Sequence, residues 1–184
     1  ETCNLGCKYC YNSTSMDLPA QGMMSQETAK KGIDWIFQAG EGRDDVSITF
    51  FGGEPLLNKK LFHWIMEYSQ KLATKLGKKV NYSMTTNATL LDDQVIEHIK
   101  KHNFGLLISM DGPQEVHDAQ RPTLGGKPSF AKAAEGVKRL MRRRKKVTVR
   151  CTLTNLRPRL ISLVKFFEEF GFKRIMLGKV TNSI

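Results

Sequence analysis

Apolar residues along this chain alternate between two rhythms, a helical spacing and short continuous runs rich in β-branched and aromatic side chains. Ala29, Ile33, Ile36 and Phe37 mark one face of a helix over 25–39, with Ser25 suited to its N-cap and Gly40 beyond its end. A buried strand over 46–51 follows. Leu61, Phe62, Ile65 and Leu72 predict a helix that starts at Asn58 and stops at Gly77, and 80–86 reads as the second strand. Val95, Ile96 and Ile99 carry a helix over 92–102, ahead of a strand over 105–110. Ser129 caps a helix bearing Ala133, Ala134, Val137 and Leu140, which returns through a strand over 147–153. Pro158 opens a last helix with Ile161, Val164, Phe167 and Phe170, Gly171 closes it, and 174–180 is the fifth strand.

Strands separated by helices predict an α/β fold: a parallel sheet with right-handed crossovers, doubly wound or barrel-like. Ligands of such folds collect at the C-terminal ends of the strands. Those ends are polar and Gly-rich here: Gly52-Gly53-Glu54-Pro55, Thr85-Thr86-Asn87, Ser109-Met110-Asp111-Gly112 and Thr152-Leu153-Thr154-Asn155. Each alone is an ordinary turn. Four in succession on one rim outline a ligand site.

Chemistry enters with Cys3, Cys7 and Cys10, three thiols on one short loop, while Cys151 stands far along the chain. Iron–sulfur clusters normally take four thiolates, and structural zinc takes four ligands. The loop therefore either leaves one iron of a cluster open or borrows a distant ligand, with His63, His117 and Cys151 as candidates for zinc; redox thiols are a third reading. Sparse cysteines and the lack of a preceding signal peptide argue against a disulfide framework, so a reducing, cytoplasmic setting is expected.

The chain of 184 residues has the size of one domain, and no apolar run approaches a membrane span. It begins at Glu1 and ends directly after a strand-like run, as a fragment of a longer protein would. The formal charge is +11, but much of it is local to Lys138, Arg139, Arg142, Arg143, Arg144, Lys145 and Lys146, where cations suit a helix C-terminus. No aromatic residues interleave that run, which argues against a nucleic-acid platform. An acidic protein partner remains open.

The run Cys3-Asn4-Leu5-Gly6-Cys7-Lys8-Tyr9-Cys10, with its C-x-x-x-C-x-x-C spacing and an aromatic residue before the last cysteine, resembles the signature of radical S-adenosylmethionine (SAM) enzymes. Phe50-Phe51-Gly52-Gly53-Glu54-Pro55 resembles the same family's GGE motif. The resemblance covers essentially the whole chain. It implies a partial (β/α)6 barrel with helices outside, whose first strand would precede Cys3 and is missing from this chain. It implies a 4Fe-4S cluster on Cys3, Cys7 and Cys10 and SAM at the open iron. It also implies that Gly52, Gly53 and Glu54 receive the SAM amino group, since glycines admit close backbone approach and a carboxylate complements an ammonium. By position, Asn87, Ser109 and Asp111 resemble residues that contact the SAM ribose or carboxylate. Tyr9 resembles the aromatic residue near adenine, and Arg150 is a candidate carboxylate partner.

Met110-Asp111-Gly112-Pro113 through His117-Asp118 and Arg121 to Ser129-Phe130 resembles the DGP...HD..R....G..SF pattern of radical SAM proteins that carry a C-terminal SPASM domain. Locally, His117 and Asp118 equally suit a capped loop, and Arg121 an ion pair with an Asp. The pattern implies a peptide or protein maturase, with crosslinking of a ribosomally made peptide ahead of formylglycine formation in a sulfatase. It also implies a SPASM-like domain beyond residue 184. The electron such chemistry needs points to an acidic donor such as a flavodoxin or ferredoxin. An iron–sulfur electron carrier and a zinc-stabilised binding module are the other classes, and neither needs a Gly-Gly-Glu strand end.

Overall fold

A computed structural model describes residues 2–10, 22–143, 146–154 and 160–180. Five strands, β1 (Asp45–Phe50), β2 (Lys79–Thr86), β3 (Gly105–Ser109), β4 (Thr148–Leu153) and β5 (Arg174–Lys179), form one parallel sheet in the order β1-β2-β3-β4-β5. Every crossover steps to the next strand. Right-handed crossovers repeated in one direction put all the helices on one face, as in an arc of a barrel, whereas a doubly wound sheet would reverse its order.

The helices are α1 (Gln26–Ala39), α2 (Lys59–Leu76), α3 (Asp93–Lys101), α4 (Gln114–Gln120), α5 (Phe130–Arg143) and α6 (Leu160–Phe170). Ser25, Asn58 and Asp92 accept backbone N–H bonds at the starts of α1, α2 and α3, and Gly77 closes α2 in the left-handed region at φ 64°. A 3-10 turn, Pro55–Asn58, leads into α2. That turn and α4 do not show in the apolar pattern, because α4 buries the polar residues His117 and Gln120 instead of an apolar stripe. Pro158, read as opening α6, lies outside the described residues, as do Asn155, Arg144 and Lys145.

Alternation along the strands decides which face does what. Val46, Ile48 and Phe50 of β1, Tyr82 and Met84 of β2, Leu106 and Ile108 of β3, and Val149 and Cys151 of β4 are buried on the helix side. There Phe50, Phe62, Tyr82 and Phe104 pack with ring centroids 4.9–6.1 Å apart. Each such side chain contributes roughly 1.5–3 kcal/mol by leaving water. The opposite face is polar: Asp45 pairs with Asn81 at 2.5 Å and Thr49 with Ser83 at 2.7 Å. The core thus sits under the helices, and the concave face and its rim are left for polar work. Among the described residues no helix is long and apolar enough to cross a membrane.

Candidate functional site

Residues 2–10 touch in turn the segments that leave β1, β2 and β3. The Glu54 N–H donates to the Thr2 carbonyl at 3.0 Å. The Asn87 amide donates to Asn4 Oδ1 at 2.9 Å, and the Asn4 amide donates to Thr89 Oγ1 at 2.8 Å. The Gly6 N–H reaches the Pro122 carbonyl at 2.8 Å, the Lys8 N–H reaches that of Gln120 at 2.9 Å, and Leu5 forms an antiparallel bridge with Thr123. Finally the Tyr9 hydroxyl donates to Asp111 Oδ2 at 2.5 Å. The cysteine loop is therefore laid across the strand-end rim and fastened at each step.

The stretch 111–130 is the frame under that loop. Asp111, 1 % exposed, accepts Arg121 Nε at 2.8 Å and Nη2 at 3.2 Å, the Tyr9 hydroxyl and the Thr152 N–H at 2.9 Å. A carboxylate offers about four lone-pair positions, so its acceptors are taken within the protein. Arg121 also lies over the Tyr9 ring, 5.2 Å from its centroid, and points Nη1 at Cys7 Sγ, 3.8 Å away. Asp118 caps α5 through the Ser129 and Phe130 N–H groups at 2.8 and 2.7 Å. His117 Nδ1 accepts the Asp111 N–H at 3.4 Å, which leaves Nε2–H to donate to Ser129 Oγ at 3.1 Å, and the Ser129 hydroxyl donates to the Arg121 carbonyl at 2.5 Å. Burial, with the Arg121 charge beside it, pushes the His117 pKa down to about 4, so the ring is neutral. The HD..R spacing thus encodes a scaffold beneath the cysteines.

Glu54, 3 % exposed, faces inward. Its Oε1 accepts the Leu56 N–H at 3.1 Å and the Thr86 hydroxyl at 2.8 Å, and its Oε2 accepts the Asn87 N–H at 2.8 Å, which leaves one acceptor position open. Burial raises its pKa, against those three donors. Gly52 and Gly53 both have positive φ, 95° and 38°. The close approach that Gly53 permits is made by the chain itself: a Cβ there would lie 2.0 Å from the Thr2 carbonyl oxygen. Asn87 is likewise committed, since its Oδ1 accepts from the Thr89 N–H and hydroxyl.

Ser109 and Arg150 differ from these. They are Cα partners across β3 and β4, level with the rim, and neither side chain has a polar partner among the described residues. Arg150 is exposed and runs across Gly178 of β5, whose Cβ, if present, would meet Nε and Nη2 at 3.9 Å. Of the residues read as SAM contacts, these two have side chains without a polar partner among the described residues and Glu54 keeps one acceptor position, while Tyr9, Asn87 and Asp111 hold the cysteine loop.

Cys3, Cys7 and Cys10 are each half-buried, close enough for the charge of one to act on the others. Burial pushes the Cys7 thiol up to about 11, with Arg121 pulling the other way, and burial raises Cys3 as well. Metal binding must therefore displace protons from these thiols. Among the described residues no three His, Cys, Asp or Glu side chains converge as ligands of a single ion. The remote ligands that zinc would borrow are engaged elsewhere: His117 is held by Ser129, Cys151 is 1 % exposed in the core, and His63 of α2 packs against Phe62 and against His98 of α3. Three thiols spread around one loop fit a polynuclear cluster, in which each thiolate takes its own iron.

The basic end of α5 is largely self-paired. Arg139 meets Glu135 at 2.8 Å, Arg143 meets Glu97 at 2.5 Å and Asp93 at 3.6 Å, and Lys138 lies over the Phe170 ring.

The chain is 30 % identical to a serine-type anaerobic sulfatase-maturating enzyme of Bacteroides thetaiotaomicron, over 99 % of this chain and 44 % of that protein. It is 32 % identical to the radical SAM cyclopropyl synthase TigE of Paramaledivibacter caminithermalis, over 62 % of this chain and 26 % of that one. A solved structure of anSMEcpe with AdoMet and a peptide bound superposes with a TM-score of 0.85 at 28 % identity, covering 98 % of this chain and 49 % of the other. This chain spans about half the length of the curated relatives it matches. Residues 1–178 match the Radical SAM superfamily, and with the cysteine loop, the GGE turn and the consecutive parallel sheet inside that span, the chain belongs to that family of enzymes, whose cofactors are a 4Fe-4S cluster and SAM.

Proposed function

We propose that this chain is the core of a maturase that oxidises a serine or cysteine side chain of a peptide or protein substrate. The observation that carries the reading is the fit of nearly the whole chain to an enzyme core solved with both AdoMet and a peptide bound. When bound, the cluster and SAM supply the 5'-deoxyadenosyl radical that removes a hydrogen atom from the substrate. Cys3, Cys7 and Cys10 would hold the cluster. Ser109 and Arg150 would receive the polar groups of SAM on the rim, Arg150 as a cation for its carboxylate. The remaining acceptor of Glu54 and the bare backbone at Gly52 would face its ammonium, while Gly53 seats Thr2. Tyr9, Asn87 and Asp111 serve by fixing the loop.

A second reading is crosslinking of a ribosomally made peptide, which shares with a radical SAM cyclopropyl synthase the making of a new bond. A SPASM-type domain outside this core, a cytoplasmic setting and an acidic flavodoxin- or ferredoxin-like electron donor belong to both readings. Arg142, which has no ion-pair partner among the described residues, is the side chain of the α5 end best placed to meet such a donor.

The test is anaerobic reconstitution with iron and sulfide, followed by incubation with SAM, reductant and peptides bearing a central serine or cysteine. Formation of 5'-deoxyadenosine together with an aldehyde that a hydrazide captures supports formylglycine chemistry. A product that has lost hydrogen but resists hydrazide supports a crosslink. A preparation that binds no iron and cleaves no SAM overturns both.

A further inference from the structure

We infer that Arg121 raises the reduction potential of the cluster by donating a hydrogen bond to its Cys7 ligand. The inference rests on the cluster reading of Cys3, Cys7 and Cys10.

The geometry is specific to one thiol. Arg121 is 7 % exposed, so its charge is little screened by water. Two of its nitrogens are spent on Asp111, at 2.8 and 3.2 Å, and that fork fixes the guanidinium plane. The third, Nη1, is thereby aimed at Cys7 Sγ, 3.8 Å away. The Tyr9 ring lies against the guanidinium and its hydroxyl donates to the same carboxylate, which withdraws negative charge from Asp111 and leaves the cation more effective. The Arg121 main chain is pinned as well, its carbonyl accepting from Ser129 and its N–H donating to the His117 carbonyl at 2.7 Å. A donor held this firmly cannot follow the sulfur if the loop shifts.

Cluster potentials depend on hydrogen bonds to the sulfurs and on nearby charge. Reduction adds an electron whose density is shared with the thiolate sulfurs, so a donor aimed at one of them stabilises the reduced state more than the oxidised one. Arg121 is then a positioning residue for electron entry: it contacts a ligand of the cluster, not the substrate.

The test is a mediated redox titration of reconstituted protein, following the cluster by absorbance and by electron paramagnetic resonance, for the wild type and for Arg121→Gln, Asp111→Asn and Tyr9→Phe. Arg121→Gln removes a cation and the donor, and the one-electron reduction equilibrium should fall about tenfold, or ~59 mV. Asp111→Asn removes an anion from the same pair, and the potential should rise. Opposite signs are the signature of electrostatic tuning, because both changes break the same ion pair and mere loosening of the loop would move both potentials one way. Shifts in the same direction, or none, overturn the inference. If those two variants fail to load iron, Tyr9→Phe decides: it keeps the ion pair and the cysteines, and a lowered potential supports the inference while an unchanged one overturns it. A wild-type protein that binds no cluster instead overturns the proposed function.

Discussion

The carbonyl oxygen of Thr2 occupies the place where a side chain on Gly53 would begin, 2.0 Å from the Cβ position. The Gly-Gly-Glu turn is thus a seat for the residue before Cys3. Gly53→Val would displace the cysteine loop before the new side chain could crowd SAM. Gly53→Ala should cost more than about 1 kcal/mol from its φ of 38° and the overlap together, and iron content after reconstitution should drop sharply. Full iron loading with weakened SAM binding would instead restore the simpler reading of Gly53 as a SAM contact.

Replacing Cys3, Cys7 or Cys10 by Ala should abolish iron loading, because the described residues offer no spare thiol beside them. Cys151→Ala should behave differently. That thiol, 1 % exposed and pushed up to about 12 by burial, packs in the core on the helix side of β4. Its loss should reduce stability by about 1 kcal/mol and leave iron content whole. Iron analysis of the four variants separates ligand from filler.

Among the described residues, the apolar periodicity of the chain located the five strands and five of the six helices, since Ile33, Val95 and Val137 repeat on faces that the structure buries. It missed α4, whose buried residues are polar and whose order comes from His117 and Asp118 bonding across the loop. The three cysteines and the strand-end turns were legible as a site because their residue types are unusual at those spacings. What each does was less so. Glu54, Asn87 and Asp111 are polar residues at strand ends, a pattern common to ligand contacts and to internal braces, and only the partners of their oxygens tell the two apart. Thr2 and Asn4 carry no motif signal, because a backbone carbonyl and a small amide look like any loop.

Ser109 and Arg150 keep their side chains unpartnered among the described residues, and this makes them the sharpest probes of SAM binding. Arg150→Ala should weaken SAM by roughly 1.5–3 kcal/mol, the worth of a hydrogen bond to a charged group. Ser109→Ala should cost about 1 kcal/mol. Neither should alter iron content. Anaerobic calorimetry on loaded protein measures both, and wild-type affinity in the two variants would move the SAM site away from the β3–β4 rim.

Gly136 links the back of the fold to the site. It sits in α5, where a Cβ would approach the Ala88 carbonyl oxygen to 2.2 Å, and Ala88 itself holds φ 64° in the turn that follows Asn87. Alanine ordinarily favours a helix over glycine by about 1 kcal/mol. Here overlap should win, and Gly136→Ala should destabilise the protein by roughly 1–3 kcal/mol. Because that turn carries Asn87 and Thr89, which bond Asn4, the same variant should lose iron more readily. Thermal melts and iron retention under dilute chelator report the two effects.

His117 sets a pH limit on the scaffold. Its pKa falls from the ordinary 6.5 to about 4 because burial and then the Arg121 charge disfavour the cation, while Asp111 and Asp118 oppose them. Protonation would also place a proton on Nδ1, facing the Asp111 N–H that now donates to it. The unfolded chain takes up this proton near pH 6.5 and the folded chain only near 4, so between those values the unfolded state binds more protons. Stability from this group is therefore whole above about pH 6.5 and is lost as pH falls towards 4, by ~3 kcal/mol at full extent. His117→Gln keeps an acceptor for Asp111 and a donor for Ser129 but does not titrate. Denaturant unfolding of cluster-free protein from pH 7 to 4 should show the wild type losing more stability than the variant. Parallel curves would mean that His117 is either protonated in the fold or exposed to water in it.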